Sequence, residues 1–187
     1  MSNHIHVDDT GARHKGKNGY CTHIGNNLFA WFQSTESKSR INFLELLRAG
    51  HKDYLLNADA IHYMRANKFP EAQLKSLVGD DQRFANKAEW IAALAARDMT
   101  RERHIRIATE GALLASVLEH GINPNLAIIS DDAGQFNVLL HALCWIHAER
   151  TINKLVGFNE EQRNALEVIQ TQIWDFYKEL CAFGRRA

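Results

Sequence analysis

The run "LAIIS", Leu126 to Ser130, constrains the fold most. It is short, continuous and apolar, with the turn-forming "INPN" before it and "DDAGQ" after it. It reads as a buried strand of a mostly parallel pair. Helical sequence surrounds it, so its partner must come from another part of the chain. The opening residues supply one. In "NHIHVDDT", Ile5 and Val7 fall on one face of an extended strand, and His4, His6 and Asp8 on the other.

The rest of the first third also reads as β. "GKNG" (Gly16 to Gly19) is a turn in which Asn-Gly supplies positive φ. "YCTHIGN" and "LFAWFQS" are two further strands joined at "GNN" (Gly25 to Asn27). Phe29, Trp31 and Phe32 supply much of their apolar bulk. A helix follows, capped by Ser37, with Ile41, Leu44 and Leu47 at helical spacing. "DYLLNADA" reads as a short strand running into a helix. From Phe69 to about His120 the pattern is helical, with Pro70 at a helix start and Gly121 as a C-cap. Two helices finish the chain, one over about Phe136 to Val156 and one over about Glu160 to Phe183, capped by Asn159. In the last, Leu166, Ile169, Ile173, Phe176, Leu180 and Phe183 form a narrow seam, read as packing on the preceding helix, with homo-oligomerisation as the alternative.

At 187 residues the chain holds one domain with a real core and a helical appendage. Its formal net charge is zero. That argues against an independent nucleic-acid binder, whose affinity comes from clustered positive charge. Two basic clusters stand out all the same. Arg13, His14, Lys15 and Lys17 follow the first acidic pair, and "RDMTRERHIR" spans Arg97 to Arg106. Solvated surface is the ordinary reading of both. Three scattered cysteines do not make a disulfide framework and fit a reducing cytoplasm. No apolar stretch is long enough to span a membrane, and "MSNHIHVDD" lacks the features of a secretory signal.

Both buried strands run into paired aspartates, "VDD" and "ISDD". Asp is a poor strand former, so Asp8 and Asp9 are expected where the first strand ends. If the two strands are neighbours, Asp8 and Asp131 lie side by side. Two carboxylates that close repel unless a cation lies between them. Hard oxygen ligands with open positions suit Mg²⁺, or Mn²⁺ in its place, and a pair of such ions can activate a nucleophile and stabilise a leaving oxygen of a phosphodiester. Asp9 and Asp132 are the second members of each pair, and Asp59 in "LLNADAIHYM" is a rival for the second position. Ordinary turns at two strand ends are the simpler alternative. A meander, a helix, then a strand parallel to the first is the order of an RNase H-like α/β sheet.

The stretches "HVDDTGARHKGKNGYCTHIGNNLFAWF" and "IISDDAGQFNVLLHALCWIHAER" resemble the catalytic core of bacterial insertion-sequence transposases of the family sixty-six type. These are DDE enzymes of RNase H-like fold. The resemblance covers about His4 to His147 and enters the helices beyond. It implies residues 1–136 as the catalytic core, with a helical segment at about 69–120, and residues 137–187 as part of a helical insertion. It matches Asp8 to the first acidic ligand and Asp131 to the second. Cys144 and His147, in "CWIH", match a motif that follows the second Asp and marks the start of the insertion. The implied reaction is Mg²⁺-dependent cleavage and strand transfer at transposon-end DNA, with Arg13, Lys15 and Lys17 as possible DNA contacts.

The family's third carboxylate lies after the insertion, in an Asn-rich stretch ending in Glu, and no such stretch occurs in these 187 residues. The expectation is therefore a core fragment that binds divalent metal weakly and is inactive alone. Glu167, with thirty-five residues between it and Asp131, and Glu149 in "HAER" are the substitutes that would make a complete small nuclease. A non-catalytic helical interaction module is a further alternative. Zinc at Cys144 and His147 is a weaker one, because a structural zinc site takes four protein ligands.

Overall fold

The computed structural model describes residues 3–14, 16–79 and 82–184. Strands β1 (His4–His14), β2 (Lys17–Gly25) and β3 (Ala30–Thr35) form the expected antiparallel meander. Helix α1 (Arg40–Leu47), strand β4 (Tyr54–Leu56), helices α2 (Ala58–Ala66) and α3 (Glu71–Leu77), strand β5 (Gln82–Phe84) and helices α4 (Lys87–Ala95) and α5 (Glu102–Glu119) come next. Strand β6 (Ala127–Ser130), a 3-10 turn (Gly134–Phe136), strand β7 (Leu140–Leu143) and helices α6 (Trp145–Asn153) and α7 (Glu160–Gly184) complete the order.

The fold is α/β. Its main sheet is mixed and five-stranded, in the order β3-β2-β1-β6-β7, with β6 parallel to both β1 and β7. Alternation gives the sheet two different faces. Ile5, Val7, Ile24 and Ile128 are buried on one face, in the same core as Phe43, Leu47 and Phe136. His6 and Phe32 are exposed on the other. Helix α5 is the hub, packed against α1, α2 and β4. Its approach to α2 depends on Gly111, where a Cβ would stand 2.9 Å from the Ala60 carbonyl.

Several expectations need correction. β1 does not end at Asp8 and Asp9 but continues to His14, because β2 pairs with it along that length. Hydrogen bonding to a neighbour overrides the weak strand preference of Asp. The turn falls at Gly16, with φ 77°, rather than at Asn18-Gly19, which lies inside β2. The cap of α1 is Ser39, which accepts from Asn42 N, rather than Ser37. The helical stretch from Phe69 to His120 is interrupted by β5, which pairs with β4 in a second, two-stranded sheet. The helix expected from Phe136 starts only at Trp145. Leu140–Leu143 are instead a strand, so the sheet extends past residue 136. Asn159 caps α7 as expected, accepting from Gln162 N at 2.8 Å. No residue of α7 is buried; Phe176 and Phe183 of the seam are 53% and 73% exposed, and Trp145 of α6 packs on Phe176 and Tyr177.

Candidate active site at the sheet edge

The pairing of β1 with β6 fixes the relation of the acidic residues. His4, Ile5 and His6 lie opposite Ala127, Ile128 and Ile129. The pairing ends at His6 and Ile129, and the same register carried two residues further would set Asp8 level with Asp131. β6 stops at Ser130, so Asp131 emerges between β1 and β7 at the carboxyl ends of parallel strands. In open α/β sheets that is where ligands bind.

The four aspartates are held differently. Asp8 is exposed on the open face, with His6 beside it and His23 across the pair to β2. Partial desolvation, with His4 and His23 nearby, holds the His6 imidazole below its ordinary pKa. Asp9 points to the helical face. Thr22 Oγ1 and Gln135 Nε2 both donate to its carboxylate, the latter at 3.1 Å, and Lys38 Nζ donates to its carbonyl at 3.1 Å. Asp131 is half-buried, and its Oδ1 accepts from Ala133 N at 3.2 Å in an Asx turn. Asp132 is exposed. Asp59 lies in the first turn of α2, after a strand of the second sheet, and is not at this edge.

Cys144 immediately follows β7, and its N donates to Ser130 O at 2.6 Å, next to Asp131. His147 sits in the first turn of α6, with Nδ1 buried and without a hydrogen-bond partner. Glu149 accepts from Asn153 within α6, and Glu167 is exposed on α7. Among the described residues, neither joins Asp8 and Asp131 in a group of three ligating side chains. Arg13 and Lys17 are exposed near the hairpin end, and Lys15 lies outside the described residues.

The sequence reading missed a different cluster. His51, Asp53 and His120, from the segments after α1, before β4 and after α5, place their ligand atoms within 4.8 Å of one another and could hold a metal ion. Asp53 Oδ1 is 2.9 Å from His120 Nε2 and accepts from Ser116 Oγ at 3.1 Å, while Oδ2 accepts from Arg83 at 2.7 Å. Burial pushes the Asp53 carboxyl up, but the hydrogen bonds from His120 and Ser116 outweigh it and hold it below the usual carboxylate range. The rings of His51 and His120 are stacked 3.5 Å apart. A cation here would displace existing partners, and two imidazoles with one carboxylate suit zinc better than Mg²⁺. The only advance signal was a histidine at the end of a long helix and an acid beside a buried strand.

The chain is similar to the uncharacterized protein y4jO of Sinorhizobium fredii, with 38% identity over 188 residues. The match covers 98% of this chain and 58% of that relative, so the chain spans a little over half of the relative's length. No family model and no solved structure matches the chain.

Proposed function

We propose that this chain carries the catalytic core of a DDE transposase of the insertion-sequence family sixty-six type, with an RNase H-like sheet and Asp8 and Asp131 as ligands for Mg²⁺. The observation that carries the reading is the parallel register of β1 and β6, which, carried two residues past its last pair, would bring Asp8 level with Asp131. The sheet order β3-β2-β1-β6-β7 is the order that such a core requires and supports it. So does Cys144, which opens a helix directly after β7, where the family's motif marks the start of a helical insertion.

In this reading Asp8 and Asp131 would hold the ion, and the ion would act on a phosphodiester of the DNA. Bound Mg²⁺ would lower the pKa of a nucleophilic water or 3′-hydroxyl and stabilise the leaving oxygen. Asp9 positions rather than ligates, because Thr22 and Gln135 occupy its carboxylate. The substrate would be transposon-end DNA. Iron-mediated cleavage tests the site directly. Fe²⁺ in place of Mg²⁺, with peroxide and ascorbate, should cut the backbone near residues 8 and 131 together, and excess Mg²⁺ should protect both. Cuts confined to the neighbourhood of His51, Asp53 and His120 would contradict the assignment.

A further inference from the structure

Beside the acidic edge, on the helical face of the sheet, lies an open cavity of about 510 Å³. Its walls carry Lys38, Arg40, Arg103 and Arg106 against a single carboxylate, Glu110. Glu110 is already engaged: Tyr63 Oη donates to it at 2.8 Å, and Arg40 lies 3.5 Å away. Arg40 also donates to Tyr63 Oη and to the Gly134 carbonyl, while its buried Nε has no hydrogen-bond partner. Arg103 and Arg106 make no ion pair among the described residues and are exposed. With Glu110 paired to Arg40, the other three cations have no acidic partner among the described residues and repel each other, and an anion relieves that repulsion.

The elements that build the cavity aim it. Arg103, Arg106 and Glu110 recur at helical spacing along the first half of α5, so they share one face. The start of that helix adds the positive end of its dipole. The opposite wall is Gly134 and Gln135, from the loop that begins at Asp131. Gln135 is the residue that reaches Asp9. One loop therefore lines the cavity and carries the second acidic residue.

We infer that this cavity binds a backbone phosphate of a DNA strand, next to the phosphodiester that the acidic edge addresses. The nature of the strand rests on the transposase reading, whereas phosphate capture rests on the cations alone. The arginine guanidinium forks suit phosphate oxygens better than a lysine-only patch does. This also gives a role to the second basic run, "RDMTRERHIR", whose Arg103 and Arg106 face the cavity while Arg97 is tied to Ser76, Ala93 and Gln82.

The test measures binding of a fluorescent 20-nucleotide DNA, single-stranded and duplex, in EDTA over a range of salt. Without divalent metal, the result does not depend on Asp8 and Asp131. Wild type should bind, and Arg103→Gln with Arg106→Gln should weaken binding about tenfold and reduce the steepness of the log–log salt dependence by about two. Both arginines are exposed, so the double variant should keep the wild-type melting temperature, and Arg103→Lys with Arg106→Lys should recover part of the affinity. Equal affinity and salt slope in wild type and the glutamine variant would overturn the proposal, as would no DNA binding by wild type at low salt. Failure of the metal-site reading would show separately, as no response to divalent cation.

Discussion

Gln135 Nε2 donates to Asp9 Oδ2 at 3.1 Å, across 126 positions of sequence. This bond ties the loop after β6 to the first hairpin and so fixes the loop that begins at Asp131. A charged acceptor makes it stronger than a neutral hydrogen bond. Gln135→Ala should destabilise the fold by about 1 kcal/mol, discounted for its partial exposure. It should also weaken any divalent-cation response without removing a metal ligand. Chemical denaturation with and without Mg²⁺ measures both effects, and an unchanged cation response would mean that the loop is held by other contacts.

Phe136 anchors the same loop from beneath. It is 1% exposed and meets Phe43 of α1 edge to face, with ring centroids 5.0 Å apart. Phe136→Ala should cost about 3–5 kcal/mol, from lost burial and the cavity left behind. Phe136→Leu should cost much less. Equal costs for the two would place the loop outside the core.

Asp53 sets an acid limit on stability. Its folded pKa is depressed below the ordinary 3.8, so its contribution is present above that value and lost as pH falls through the folded pKa. Asp53→Asn should lower stability by about 2 kcal/mol at pH 7, because His120, Ser116 and Arg83 lose a charged acceptor. The difference between variant and wild type should shrink below pH 4. Melting curves from pH 2 to pH 7 check the sign, and a difference that grows on acidification would refute it.

Tyr63 sets an alkaline limit. Burial and the adjacent Glu110 carboxylate raise its pKa well above the usual phenol value. Its contribution is therefore present below pH 10 and lost as pH rises toward the folded value. Tyr63→Phe should cost about 1–2 kcal/mol at pH 7, since the buried Glu110 then keeps only Arg40. The variant should lose less stability than wild type above pH 10.

The main features of the sheet were legible because its strands differ in kind. The meander has turn signals, and "LAIIS" is short, apolar and flanked by turn residues, which reads as a strand; in the fold β6 buries alternate residues, Ile128 and Ser130. The end of β1 was not legible, because Asp8 to His14 are held in a strand by β2 rather than by their own preference. β7 was missed because "LHAL" is compatible with helix, and only its place beside β6 makes it a strand. At the site, the parallel pairing of the two acid-ending strands was legible, whereas the engagement of Asp9 by Gln135 depends on where a loop folds back. The His51, Asp53 and His120 cluster comes from three separate segments, so no local spacing could reveal it.

The most direct test of the central reading is melting temperature against Mg²⁺ or Mn²⁺ concentration, for wild type, Asp8→Ala, Asp131→Ala and His51→Ala. A cation bound by the native state alone raises the melting temperature. The account predicts a rise in wild type and in His51→Ala, and none in Asp8→Ala or Asp131→Ala. In metal-free buffer, Asp8→Asn should be slightly more stable than wild type, because it removes repulsion from Asp131. No rise in wild type, or a rise abolished only by His51→Ala, would contradict a shared metal site at the ends of these two strands.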